Sequence, residues 1–445
     1  MKTQIVDLVY LTAGLLCLPL ILWRRVVSGR PLSPPGERLL GRVPRVPGDG
    51  PLVWLHAVSV GEVNQLESLI QTLGRRRPDC RFAISTTTAT GLQLARRKHP
   101  DITVFRFPVD FSWAIRQVLR RLRPALIVLV ELEVWPNLVG LASRQQVPVA
   151  VINGRLGQRS FAGYSRFRRV IGPTFCRLSA VVTQDDDYAR RFAALGTPAA
   201  RIQTVGSLKF DQARIQANRC RNSELTDSLR RQIRLAPEET LWVAGSTQQP
   251  EEAWAGEIYR SLRASCPGLR LAIAPRHPHR ADDVQRSLLD QGIPVMRRSS
   301  GETSGNAGSG MPPVLLVDTI GELGHLWAVA RIAFVGGSFG SRGGQNMLEP
   351  AAAGCATCFG PHTWNFASIV GPMKQAGAGH EVANAGELEQ FVARCLKDTA
   401  AREQLARRAS AFVESGSGAT TSTASILADL LDPARESVQR GQRAA

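Results

Sequence analysis

Acidic residues that directly follow apolar runs are the first candidates for chemistry, because a carboxylate at the end of a buried strand must be solvated, paired or used. W-L-H-A-V-S-V-G-E closes an apolar run and places His56, Ser59, Gly61 and Glu62 in the following loop or first helical turn. A carboxylate there can act as general base toward a hydroxyl. It can equally cap the helix, and the helix dipole would then lower its pKa and weaken it as a base. The run A-L-I-V-L-V leads into E-L-E-V-W-P-N-L. If the strand continues, Glu131 and Glu133 share a face, and Pro136 suits the first turn of a helix. Asn153 and Arg155 follow another apolar run, and Lys209 and Asp211 close the G-S-L-K-F-D segment. Taken singly, these last four are ordinary surface chemistry.

The second half offers cations and glycines instead. A-I-A-P-R-H-P-H-R sets Pro275, Arg276, His277 and His279 after a strand. The two histidines lack an acidic third ligand at metal-binding spacing, so a phosphate-binding arginine is the better reading and no metal is expected. D-T-I-G-E-L follows at 318–323, carrying Ile320, Gly321 and Glu322. F-V-G-G-S-F-G-S-R-G-G-Q-N-M-L-E-P then reads as strand, glycine-rich loop and helix start. The free N–H groups of such a helix can hold a phosphate, and Glu349 can accept from ribose hydroxyls; the glycines alone also fit a tight turn. The segment is neither a Walker loop nor the dinucleotide fingerprint.

These segments need a scaffold, and the chain supplies a regular one. Short apolar runs at Leu52–Ala57, Phe82–Ser85, Ala125–Val130, Val147–Ile152 and Ala180–Thr183 alternate with helical spacing, and the rhythm resumes at Leu241–Ala244, Leu269–Ala274, Pro313–Val317, Ile332–Val335 and Ala356–Phe359. That alternation predicts βα units around parallel sheets. With 445 residues, two α/β doubly wound domains are expected, at 31–222 and 223–445, with ligands between the carboxyl ends of their strands. The polar, Arg-rich stretch 212–237 reads as a linker, and the Ser- and Gly-rich residues 299–312 as a surface loop.

Charge is divided unevenly. Residues 1–222 hold 33 Lys and Arg against 14 Asp and Glu, whereas residues 223–445 hold 22 against 23. A basic half faces a polyanion or is simply a solvated basic surface. From Ile5 to Trp23 only Asp7 and Thr12 interrupt an apolar run, and Arg24, Arg25 and Arg30 follow. Residues 1–30 therefore read as a membrane anchor, spanning or interfacial, with the body on the cytoplasmic side. Cys355 and Cys358 form a lone C-x-x-C with no second pair, which suits buried thiols in a reducing cytoplasm.

In their order along the chain, H-A-V-S-V-G-E, E-L-E-V-W-P-N-L, G-S-L-K-F-D, P-R-H-P, D-T-I-G-E-L, F-V-G-G-S, N-M-L-E-P and F-G-P-H-T-W-N-F resemble the family that transfers 3-deoxy-D-manno-octulosonic acid (Kdo) to lipid A. The resemblance spans nearly the whole chain. It implies two Rossmann-like domains of the GT-B glycosyltransferase type, the first binding a lipid A precursor and the second binding CMP-Kdo, with no cofactor. It further implies Glu62 as general base and Glu131 and Lys209 as transition-state stabilisers. CMP contacts would come from Pro275 and Arg276, from Ile320, Gly321 and Glu322, and from Asn346, Met347, Leu348 and Glu349. Lipid A as acceptor would place the enzyme on the cytoplasmic face of the inner membrane, an anionic surface. The chain departs from the family pattern at Gln248 and Gln345, where His is usual, at Gly154 and at Ile320. Gln keeps hydrogen-bonding capacity but cannot become cationic. A UDP-sugar transferase or epimerase on the same fold is one alternative. A non-enzymatic basic module is another, although no aromatic-interleaved basic motif supports nucleic acid as a partner.

Overall fold

A computed structural model describes residues 3–28, 35–305 and 310–432. Arg30 and residues 306–309 of the Ser- and Gly-rich stretch lie outside the described residues. The chain forms two compact units, residues 1–208 with 418–445, and residues 209–417.

The first unit is built on seven strands: β1 (Leu52–His56), β2 (Arg81–Thr86), β3 (Thr103–Arg106), β4 (Leu126–Val130), β5 (Val149–Gly154), β6 (Ala180–Thr183) and β7 (Ile202–Thr204). All pair in parallel, in the order β3-β2-β1-β4-β5-β6-β7. Every residue of β1, β4 and β5 is buried, as expected for strands covered by helices on both faces. Alternation sends Leu52 and Trp54 into one core, with Phe105, Phe107 and Ile115, and Val53 and Leu55 into the other, with Leu66, Leu69 and Leu427. The strand order reverses between β1 and β4, which makes their carboxyl ends the ligand crevice of such a sheet.

The second unit holds β8 (Thr240–Thr247), β9 (Leu269–Pro275), β10 (Val295–Arg297), β11 (Thr303–Ser304), β12 (Val314–Leu316), β13 (Ile332–Val335), β14 (Ala356–Phe359) and β15 (His380–Glu381). Their order is β11-β10-β12-β9-β8-β13-β14-β15, antiparallel only at the β10–β11 edge. The reversal here falls between β8 and β13. Cys355 and Cys358 are buried in this unit, and burial holds both thiols up, that of Cys355 to about 12.

The expected boundary at 222/223 differs from the observed division at 208/209, and the Arg-rich stretch is not an extended linker. It forms helices Leu208–Arg221 and Glu224–Ile233, whose apolar faces enter second-unit cores through Ala213, Leu229 and Ile233. The arginines of the second obscured its amphipathic stripe. Conversely, the helix Ala419–Leu430 returns to the first unit, where Ala424 and Leu427 are fully buried against the helix Val60–Arg76.

The amino-terminal helix, Thr3–Ser28, is keyed to the first unit by polar contacts. Asp7 accepts from the Ser112 backbone N–H at 2.9 Å and from Asn137 Nδ2 at 2.8 Å, and Tyr10 donates to Asp110 at 3.2 Å. Asp110 also accepts from the N–H groups of Asn137 and Leu138, at the start of the helix Pro136–Arg144. Burial nevertheless pushes its carboxyl up to about 7. Ile5, Leu8, Val9, Leu11, Leu15 and Leu16 are exposed. Among the described residues no helix is long and apolar enough to cross a membrane.

Removing the Leu427 side chain leaves a cavity in a core that the sequence order does not suggest it belongs to. Leu427→Ala is expected to destabilise the first unit by about 2–4 kcal/mol, read from urea unfolding of the first-unit transition. An unchanged first-unit midpoint would contradict the assignment of this helix.

Candidate active site

In the first unit the crevice between β1 and β4 gathers carboxylates. Ser59 caps the helix Val60–Arg76, and Glu62, three residues later, folds back on the loop. One carboxylate oxygen accepts from the Val58 N–H at 2.8 Å, and the other accepts from Ser59 Oγ at 2.8 Å. Glu62 is thus both cap and candidate base. The expectation that the helix end lowers its pKa is not met. Burial raises it, outweighing the two hydrogen bonds that favour the charged form, and the charges of Glu131 and Glu133 raise it further. Each oxygen keeps a lone pair to receive a proton.

Glu131 and Glu133 reach this neighbourhood by a route other than the expected one. β4 stops at Val130, and Glu131 adopts φ +59 while its N–H still donates to the Ile152 carbonyl. A left-handed non-glycine residue costs free energy, so it is held by its surroundings. Glu133 accepts from Trp135 Nε1 at 2.9 Å and lies 3.7 Å from His56 Nε2. His56 is not in the loop: it is the fully buried last residue of β1, stacked on Phe107 at 3.9 Å.

Asn153, also left-handed at φ +50 and 1% exposed, occupies a bulge where β5 slips against β6. Its side chain donates to Gln65 at 2.7 Å and accepts from the Leu208 N–H, tying β5 to the point where the chain leaves the first unit. Lys209 itself belongs to the second unit, although the sequence grouped it with the first half. Its ammonium sits 5.4 Å above the Phe366 ring.

In the second unit β9 ends at Pro275, and exposed Arg276 donates its N–H to the Thr247 carbonyl. Burial raises the Glu349 carboxyl, and Asn346 and the Arg276 charge partly offset this. Asn346 donates to Glu349 at 3.0 Å and caps the Leu348 N–H at 3.2 Å. Met347 and Leu348 are fully buried. Ile320 is 81% exposed beside Gly321, whose φ of +93 suits glycine. The Glu322 carboxylate is paired with Arg298 at 2.6 Å.

The glycine-rich loop spends several of its amides on an internal acid. Glu251, 1% exposed and unnoticed in the sequence, accepts from the N–H groups of Gln248, Gly337, Ser338 and Phe339 at 2.8–3.2 Å. An internal anion fills that nest. The helix beyond, Leu348–Ala353, has only six residues, and Asn346 occupies one of its first N–H groups. The available hint was an acid just after Pro250, close behind a strand end. A second bulge, at Ser246 with φ +56, re-aims the end of β8. Beyond it Thr247 Oγ1 and Gln248 Nε2 are buried without hydrogen-bond partners.

Residues 36–212 match the family described as 3-Deoxy-D-manno-octulosonic-acid transferase (kdotransferase). The 3-deoxy-D-manno-octulosonic acid transferase of Bordetella pertussis is 33% identical over 389 residues, covering 85% of this chain and 87% of the relative. That of Chlamydophila psittaci is 31% identical, covering 85% of each chain. Among solved structures, UDP-GlcNAc 2-epimerase from Neisseria meningitidis aligns over 85% of this chain and 99% of its own, with a TM-score of 0.59 and 12% identity. A glycosyltransferase from Rickettsia africae aligns over 87% of this chain and 100% of its own, at 0.58 and 10%. At such identities the two structures support the shared two-domain GT-B fold alone. With sequence relatives above 30% identity along most of its length, this chain belongs to the Kdo transferase family of glycosyltransferases.

Proposed function

We propose that the protein transfers Kdo from CMP-Kdo to a hydroxyl of a lipid A precursor, lipid IVA, with inversion at the anomeric carbon, in lipopolysaccharide synthesis. The observation that carries this reading is the half-buried Glu62 carboxylate, positioned at the strand-order reversal of its sheet and raised in pKa by burial and by two neighbouring acids. As the acceptor oxygen bonds to the anomeric carbon, its proton passes to Glu62. The bond to CMP breaks with its electron pair going to the phosphate oxygen. Arg276 offsets the charge on the departing phosphate, and Pro275, Ile320–Glu322 and Asn346–Glu349 frame the nucleotide. Glu131 and Lys209 stabilise charge in the transition state.

The amino-terminal helix supports a membrane-bound acceptor. Its Asp7 and Tyr10 are committed to the protein body, and its exposed face carries Ile5, Leu8, Val9, Leu15 and Leu16. An apolar face beside a basic first half suits the interface of an anionic cytoplasmic membrane surface, the location we propose for the enzyme.

Glu62→Gln is expected to lower transfer by roughly 10²–10⁴-fold while CMP affinity stays within about two-fold. Arg276→Ala should instead weaken CMP binding by about ten-fold. Calorimetry with CMP and the mass of the lipid product separate the two, and retained turnover in Glu62→Gln removes it as the base. The base works ionised, so kcat/KM falls as pH drops through its pKa. Burial, together with Glu131 and Glu133, puts that acidic limb above an ordinary carboxylate's. Glu133→Gln removes one negative neighbour and should move the limb to lower pH in a pH–rate profile; a limb that stays put or rises speaks against the coupling.

A further inference from the structure

Gly337, at φ +65, lies just beyond the carboxyl end of β13. A Cβ built there would lie 3.4 Å from Gln345 Nε2 and 3.7 Å from Gln248 Nε2. Two side-chain amides from segments far apart in sequence therefore converge over Gly337. Gln248 Nε2 is buried and has no hydrogen-bond partner, and neither has Oγ1 of the adjacent, fully buried Thr247. Native proteins rarely leave a buried donor unmade unless something else completes it.

The surroundings are stiff. The N–H groups of Gln248 and Gly337 both donate to the same oxygen of Glu251, each at 2.8 Å. One carboxylate thus fixes the residue bearing one amide and the residue over which the two amides meet. The Gly344 N–H donates to the Gly337 carbonyl at 2.8 Å, which closes the loop carrying Gln345. The neighbouring backbone amides of Ser338 and Phe339 are spent on Glu251, so recognition above Gly337 falls to the side-chain amides.

We propose that Gln248 and Gln345 form a subsite for an oxyanion oxygen of the donor, seated above Gly337. The assignment rests on the CMP-Kdo reading above and deepens it. Such an oxygen has two sources in that donor, the phosphate and the sugar carboxylate. Both accept from uncharged NH2 groups, and neither amide titrates over the working pH range. Gln248 and Gln345 act here as binding residues, and Glu251 as a positioning residue.

The test is Gln248→Leu and Gln345→Leu in the full chain, with KM for CMP-Kdo, Kd for CMP by calorimetry, and Tm measured for each. Each variant is expected to raise KM for CMP-Kdo about ten-fold. If Kd for CMP rises in step, the oxygen is a phosphate oxygen. If Kd for CMP is unchanged, it is the carboxylate's. KM and Kd both within two-fold of the wild type in both variants would overturn the subsite. Should Gln248→Leu fail to fold, Gln248→Asn, which withdraws the amide by one methylene, gives the same readings. A wild-type chain that neither binds CMP nor consumes CMP-Kdo counts against the donor reading itself, and the subsite assignment falls with it.

Discussion

The Glu251 carboxylate, buried and accepting four backbone N–H groups, is the contact on which the ligand end of the second unit depends. An anion in an apolar interior is costly unless fully hydrogen-bonded, and four backbone donors provide that compensation. Burial still raises its pKa against those bonds. Because the donors come from the ends of β8 and β13, this one side chain holds two loops from distant parts of the sequence in fixed relation. The first unit repeats the device on a smaller scale, with Asp110 taking two N–H groups of one helix start and Glu62 taking one of its own loop. Several strand-end amides are therefore occupied by the protein's own acids.

A second constraint is backbone strain at strand ends. Glu131, Asn153 and Ser246 all adopt left-handed conformations at or just beyond the carboxyl ends of β4, β5 and β8, and the last two sit in bulges. Each costs on the order of 1–3 kcal/mol and persists only where the environment over-determines it. For Asn153 the compensation is visible in its bonds to Gln65 and Leu208. Elsewhere positive φ is relaxed, as at Arg123 and Arg234, which end helices in the ordinary way. Strain of this kind thus gathers at strand ends in both units.

The amino-terminal helix shows how a polar interruption in an apolar run can be misread. Asp7 looks like a defect in a membrane segment. In the fold it is nearly buried and bonded to Ser112 and Asn137, so it turns one face of the helix toward the protein and leaves the leucines on the outside.

Much of this was legible in the chain itself. Central strands announced themselves as continuous apolar runs: Ala180–Thr183, Ile332–Val335 and Ala356–Phe359 have the expected bounds, because strands covered on both faces admit little else. Strands of two to four residues at or near the edges, such as Thr103–Arg106, Ile202–Thr204 and Thr303–Ser304, were not seen, since a half-exposed strand carries no such run. Local chemistry determined the Ser59 cap, Pro136 at a helix start, and the motifs that mark the family. Only tertiary structure decided that Glu251 fills the glycine-rich nest, that Glu62 is raised rather than lowered in pKa, that Lys209 belongs to the second unit, and that Leu427 completes a core of the first. The reason is common to all four. Burial, and contacts between residues far apart in the chain, set the free energy of a charge or a side chain, and neither is encoded in the spacing of its neighbours.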